Sequence, residues 1–311
     1  MIRKILLCII IFLLITTVLL SGCYRGDSTN TFPGQKKDDI VFSFIFMSDT
    51  QADPEIGNYA SFGELLKLAL EHESKTQLLV LGGDNVNNGN SSQEWETFWA
   101  TAGENLDGII TASVAGNHDN NPFLAEQFDY PQTAPANTSE GFFYSFSEKN
   151  TYFLMLDSNI MGAGNASDID WLSDQLSSKS ATDADWRIVV LHHPFWPIAD
   201  IPKDTQRAET MRGKFLPVME ENGVDLILCG HQHIYSRTAP MRSGNIEENG
   251  IIQIMTASGA KGSYSPGEKD YIEKAAEGPA YLIIEVDVGL MTITAYDKNG
   301  EPFDNVRIIR R

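Results

Sequence analysis

The sequence predicts an α/β sandwich built as a single domain, and three observations point there. From Ile40 to Cys229, short apolar runs rich in β-forming residues alternate with segments of helical periodicity. From Ile234 to Arg311 the chain is mostly strand-like. No internal repeat or low-complexity block interrupts it, so strands and helices are expected to share one core.

Ile40 to Met47 is a nearly continuous apolar run, as expected of a strand buried on both faces. Tyr59 to His72 sets Phe62, Leu65, Leu66, Ala69 and Leu70 on one helical face. Gln77 to Leu81 reads as a second buried strand, Gln93 to Leu106 as a helix and Ile109 to Val114 as a third strand. Asn120 to Glu140 is a polar, Pro-containing loop. Phe142 to Phe146 and Tyr152 to Leu156 flank Glu148-Lys149-Asn150 as a hairpin. Asp168 to Lys179 is a helix with an acidic start, Trp186 to Leu191 a strand, Glu209 to Glu221 a helix and Val224 to Cys229 a strand. Tyr281 to Val288 and Met291 to Tyr296 form a closing hairpin.

The first residues stand apart from this pattern. Arg3 and Lys4 precede an apolar run from Ile5 to Leu20, which is short for a membrane span of roughly 20 residues and suits a signal peptide. Leu20-Ser21-Gly22-Cys23 resembles the lipobox of bacterial lipoproteins, in which the Cys is acylated and becomes the first residue. The expectation is a signal peptide over 1–22, a flexible tether over 23–39 from lipidated Cys23, and the folded domain over 40–311. An uncleaved anchor helix is the alternative; in either case the domain lies outside the cytoplasm, lipid-anchored or helix-anchored to the cell membrane.

Composition narrows the function. The formal charge is −19 before Arg3 and Lys4 are removed, which argues against binding long nucleic acid or anionic lipid headgroups. Bound cations can reverse that sign locally, so a small anionic substrate stays compatible. Cys229 is the one thiol left after Cys8 and Cys23, which excludes an intramolecular disulfide and a Cys-based zinc site.

Five of the six histidines fall just after buried strands: His118; His192 and His193; His231 and His233. Strand C-terminal ends are where α/β folds place their sites. Two more strands end in Ser48-Asp49-Thr50-Gln51 and Gly82-Gly83-Asp84-Asn85. Singly, each Asp reads as a turn residue or cap and each His pair as surface. Five strand ends that all present nitrogen or oxygen donors favour a metal site.

The order Asp49-x-Gln51, Gly83-Asp84, Gly116-Asn117-His118-Asp119, His192 and Gly230-His231-Gln232-His233 resembles the calcineurin-like metallophosphoesterases. GHQHIYSR, Gly230 to Arg237, is similar to the matching segment of purple acid phosphatases. The resemblance implies a four-layer α/β/β/α sandwich with two mixed sheets and two adjacent metal ions, divalent or mixed-valence, drawn from Mn, Fe or Zn. It assigns Asp49 and His233 to the first metal and Asn117, His192 and His231 to the second, with Asp84 bridging. It also implies in-line attack by a metal-bridging hydroxide on a small phosphomonoester or phosphodiester. His118 would face the substrate as a charge stabiliser or proton donor, with Asp119 orienting its ring.

Two positions depart from the family pattern. Gln51 stands where most relatives have His, and Asn87 stands where purple acid phosphatases have Tyr. The first metal would then rely on Gln51 or Asn87 oxygen, and no iron-to-phenolate colour is expected. His193 is either a substrate-side group or structural. Arg237 either contacts phosphate or supports its loop. Phe195, Trp196, Lys203, Arg207 and Arg212 either grip an aryl or nucleotide phosphate, or pack as ordinary loop and helix residues. Two rival functions are a surface-tethered binding lipoprotein with a degenerate site and an enzyme acting on phosphate-containing cell-wall polymers.

Overall fold

The apolar run Phe42–Met47 forms strand β1 in the interior of a six-stranded sheet, which is why both of its faces are buried. In the computed structural model, residues 41–52, 58–119, 123–128 and 142–310 are described. The signal peptide, the tether and Cys23 lie outside them, as does most of the Asn120–Glu140 loop. Among the described residues no helix is long and apolar enough to cross a membrane.

In the first sheet β1 pairs in parallel with β2 (Leu78–Leu81), and β2 with β3 (Ile110–Ser113). On the other side of β1, the C-terminal strands β13 (Ala280–Val286), β14 (Leu290–Asp297) and β15 (Pro302–Ile309) continue the sheet antiparallel. The second sheet has the order β12-β8-β11-β7-β6-β5-β4. Its parallel centre is β5 (Thr151–Leu156), β6 (Trp186–Leu191), β7 (Leu226–Cys229) and β11 (Ile252–Met255). Strands β4 (Tyr144–Glu148), β8 (Tyr235–Thr238) and β12 (Ile272–Ala276) join antiparallel. A small ribbon, β9 (Met241–Arg242) with β10 (Asn245–Ile246), sits apart.

Alternation along each strand separates the layers. Phe44, Phe46 and Val80 point between the sheets and meet Met155, Ile188, Val190, Leu228 and Ile254. Ile45, Met47, Leu79 and Leu81 point outward under Phe62, Leu65, Trp95 and Phe98 of the helices Ala60–His72 and Ser92–Ala102. On the far side Leu154, Val189 and Leu191 are covered by Trp171, Leu172, Met211 and Met219. The result is the expected α/β/β/α order. Each fully buried large apolar side chain contributes about 1.5–3 kcal/mol, so this double-faced burial is the main stabilising term.

Three expected helices differ in their bounds. The one expected over Asp168–Lys179 spans Ala166–Leu176, with Lys179–Asp183 a separate helix capped by Ser178. Helix Ser92–Ala102 stops at Gly103, whose φ of +56° ends it, and Gly103–Leu106 continues as a 3-10 turn. The helix expected from Glu209 instead begins at Pro202, where proline fits the first turn, and breaks at Phe215 ahead of a second helix, Leu216–Glu221. The stretch Pro202–Arg207 carries no apolar stripe, so hydrophobic periodicity gives no sign of its helix.

Candidate metal centre

The two sheets place their strand ends against each other. From the first sheet come Asp49 after β1, Asp84 after β2 and Asn117 beyond β3; from the second come His192 after β6, and His231 and His233 after β7. Asp49, Asp84, His231 and His233 all have positive φ, at 50°, 54°, 82° and 49°. Non-glycine residues rarely adopt that region, and such strain persists where the surrounding structure enforces it. Two glycines permit the close approach. A Cβ on Gly116 would lie 2.1 Å from Asp84 Oδ1, and one on Gly230 would lie 2.2 Å from Asp49 Oδ2. Backbone bonds lock the sheets together here, Ser258 N donating to Ser48 O at 2.7 Å and His231 N donating to Asp49 Oδ2 at 2.9 Å.

Each of the three expected histidine ligands is anchored through one ring nitrogen. His192 Nδ1 lies 2.9 Å from Gly82 O, and His233 Nδ1 lies 3.1 Å from Gly262 O. His231 Nε2 lies 3.0 Å from Asp204 Oδ1. Acceptors at these positions hold a proton on that nitrogen and turn the opposite one toward the cluster. Those opposite nitrogens converge: His192 Nε2 is 3.3 Å from Asp84 Oδ2, His233 Nε2 is 3.4 Å from Asp49 Oδ1, and His231 Nδ1 is 3.1 Å from Asn117 Oδ1.

The cluster calls for positive charge. Burial disfavours a charged His192, yet Asp84 and Asp49 outweigh it and push its pKa up to about 10. Burial likewise works to raise Asp84, but the nearby His192 charge and the bond from the His118 amide hold its carboxyl well below the usual range. Asp49, Asp84 and His192 offer ligand atoms within 4.8 Å of one another. Among the described residues, Asp49 Oδ1, His192 Nε2 and both amide atoms of Gln51 are buried without a hydrogen-bond partner. An unsatisfied buried polar group costs about 1–3 kcal/mol, so Asp49 Oδ1, the Gln51 amide oxygen and His192 Nε2 once deprotonated fit a cation partner. Carboxylate, imidazole and amide oxygen suit Mn²⁺, Fe or Zn²⁺.

Comparison with known proteins agrees. The model of the calcineurin-like phosphoesterase family matches residues 42–235, most of the chain. The chain belongs to the calcineurin-like phosphoesterase family. Purple acid phosphatase 18 of Arabidopsis thaliana is 24% identical over 210 residues, which cover 62% of this chain and 46% of that protein. A probable cyclic nucleotide phosphodiesterase of Psychrobacter arcticus is 27% identical over 225 residues, 68% of this chain and 78% of its own length. Purple acid phosphatase PPD1 from yellow lupin seeds shares the fold, with a TM-score of 0.70 at 16% identity over 90% of this chain and 55% of that one. This chain thus spans less than half of the Arabidopsis relative.

Within this calcineurin-like centre, the remaining expected site residues divide. A cavity of about 310 Å³ opens on the cluster and is lined by Asp84, Asn117, His118, His231 and His233 together with Ala260, Lys261, Gly262 and Tyr264. His118 faces it, with Nδ1 2.8 Å from Asn87 O and Nε2 3.2 Å from Lys261 Nζ. The Asn87 carbonyl, not Asp119, therefore orients the His118 ring. The Asp119 carboxylate instead accepts from Asn85 N, Asn85 Nδ2 and Gly116 N at 2.6–2.7 Å and braces the Asp84 and Gly116 turns. The Asn87 side chain donates to Ala52 O at 3.1 Å, and its loop is held by Glu94, whose Oε2 accepts from Asn87 N at 2.8 Å.

The other anion-binding candidates are committed elsewhere. His193 is buried, with Nδ1 2.9 Å from Ser158 Oγ, and its ring lies 4.2 Å from that of His231, a structural packing role. Arg207 Nη1 donates to Ser158 O at 2.8 Å and lies 3.2 Å from His193 Nδ1. Arg237 holds both oxygens of Asp304 at 2.8 and 3.1 Å and also pairs with Glu273. Phe195 and Trp196 are buried, and Arg212 donates to Phe195 O. None of these lines the cavity.

Asp204, Glu94, Lys261 and Tyr264 escaped the sequence reading. Asp204 and Glu94 sit on helix surfaces by pattern. Lys261 and Tyr264 lie in a stretch read only as strand-like, which folds instead as a loop over the site, with Tyr264 stacked on His233 at 5.3 Å. The Gly-rich run Ser258-Gly259-Ala260-Lys261-Gly262 was the available signal of a loop.

Proposed function

We propose that this chain is a metal-dependent phosphoric ester hydrolase acting on a small phosphomonoester or phosphodiester. The observation that carries the reading is the anchoring of His192, His231 and His233 through one ring nitrogen each, with the other turned into a cluster of Asp49, Asp84 and Asn117. Asp49, Gln51 and His233 would hold one cation, Asn117, His192 and His231 the other, and Asp84 would serve both. Bound there, such a pair would lower the pKa of a water and neutralise phosphoryl charge in an in-line displacement.

The chain's own groups do the rest. His118 keeps its Nδ1 proton on the Asn87 carbonyl and presents Nε2 to the cavity, placed to exchange a proton with the leaving oxygen. Gly82 O, Gly262 O and Asp204 keep the ligand imidazoles from rotating. We place the enzyme outside the cytoplasm, tethered through lipid on Cys23, on the strength of the Leu20–Cys23 tetrapeptide. Mn²⁺, Fe²⁺ or a mixed pair suits a first site that has Gln51 and no phenolate.

The test uses the full chain in detergent, stripped and reloaded with Mn²⁺, Fe or Zn²⁺, with nitrophenyl phosphate and bis-nitrophenyl phosphate as substrates. Turnover that depends on metal and stops with chelator is expected, together with two metal equivalents per chain by elemental analysis. Hydrolysis indifferent to chelation would overturn the reading. Mass spectrometry of the N-terminal peptide would show diacylglycerol on Cys23.

A further inference from the structure

We propose that Lys261 reads the second negative charge of a phosphomonoester and so makes this chain prefer monoesters to diesters; this rests on the hydrolase reading above. Among the described residues that line the cavity, Lys261 is the one Lys or Arg. Two of the cations that sequence pattern offered for anion binding are committed elsewhere, Arg207 on Ser158 O and Arg237 on Asp304 and Glu273. Lys261 Nζ stands 3.2 Å from His118 Nε2, on the leaving-group side of the centre. The His118 contact engages at most one N–H of the ammonium. That leaves two of its three N–H donors for a ligand.

The loop that carries Lys261 is fixed on both sides of it. A Cβ on Gly259 would meet Asp49 O at 2.3 Å, so that residue packs against the β1 end. Gly262 O holds His233, and Tyr264 N donates to Gln232 O at 3.3 Å. The ammonium is therefore delivered from a backbone that already braces the metal ligands. Burial favours its neutral form, so an anion arriving beside it restores lost solvation.

A phosphomonoester carries close to two negative charges at neutral pH, whereas a diester carries one and places a neutral ester arm on the corresponding oxygen. A charge-assisted bond from Lys261 to a charged oxygen outweighs one to an ester oxygen.

The experiment compares the full chain with Lys261→Met and Lys261→Arg. It measures kcat/KM for nitrophenyl phosphate and for bis-nitrophenyl phosphate, and binding of inorganic phosphate by calorimetry. Lys261→Met is expected to lower the monoester kcat/KM and the phosphate affinity by roughly 10- to 100-fold and the diester kcat/KM by a clearly smaller factor, so that the monoester-to-diester ratio falls. Lys261→Arg should retain most of both. Equal losses on the two esters, or phosphate affinity unchanged in Lys261→Met, would overturn the proposal. Absence of wild-type turnover with every metal would sink the hydrolase reading alone, because phosphate binding still reports on Lys261.

Discussion

Asp204 Oδ1 lies 3.0 Å from His231 Nε2, and with that bond the other ring nitrogen is turned to Asn117. A carboxylate in this position fixes the tautomer of the ligand imidazole and raises its basicity. Asp204 also accepts from Gln232 Nε2 at 2.8 Å, so it is itself held. Asp204→Ala should weaken cation binding at that position by about 10- to 100-fold. Competition against a chelator of known affinity would measure it, with Mn²⁺ retention equal to wild type as the contrary result.

His118 contacts the cavity and is absent from the proposed ligand set. His118→Ala should therefore keep its metal content and lose roughly 10²–10⁴ in kcat. The loss should be greater for an alkyl phosphate than for nitrophenyl phosphate, whose leaving group needs little protonation. Equal losses on both would assign His118 to charge stabilisation instead.

The metal-free protein should respond to pH through His192. Its folded pKa of about 10 exceeds the ordinary 6.5, so its stabilising share is whole below about 6.5 and fades as pH rises to about 10. Asp84 has the opposite sense, contributing above its ordinary range and losing that share as pH falls through its depressed native value. Denaturant titrations of chelator-treated protein should show stability declining from neutral pH toward about 10, with a flatter curve for His192→Ala. Cation loading at neutral pH should release a proton, visible by calorimetry in buffers of different ionisation heat.

Arg237, although beside the metal motif in sequence, is locked to Asp304 with little exposure. Arg237→Gln should cost about 1–3 kcal/mol of stability by breaking a charged hydrogen-bond pair and stranding Asp304. KM for nitrophenyl phosphate should stay at the wild-type value. A raised KM with unchanged melting temperature would reverse the assignment.

Iron-loaded protein should lack a purple band, since position 87 holds an asparagine whose amide donates to Ala52 O. Visible absorption of the Fe-reconstituted chain measures this directly.

The layered fold was legible because its strands are double-faced: Phe42–Met47 and Trp186–Leu191 are apolar on both sides, a pattern few other structures produce. The residues proposed to face the metals were legible because such chemistry calls for Asp, Asn and His at strand ends. Their supports were not. Asp204 sits in a helix start without apolar period, and Glu94 is a first-turn acid like any other. Asp119 follows His118 directly, yet its carboxylate turns to Asn85 and Gly116 while the His118 ring bonds to Asn87, 31 residues away in sequence. Lys261 reaches the site across 143 residues from His118, a relation that no local pattern carries.

The proposed ligands come from both sheets: Asp49, Gln51, Asp84 and Asn117 follow strands of one, His192, His231 and His233 strands of the other. A cation seated among them is a rivet through both halves of the sandwich. A chain whose sheets had docked out of register would present two half-sites, each with too few donors to retain it. Metal retention would then act as a proofreading step on assembly, with only correctly closed molecules acquiring the charge that the cavity needs.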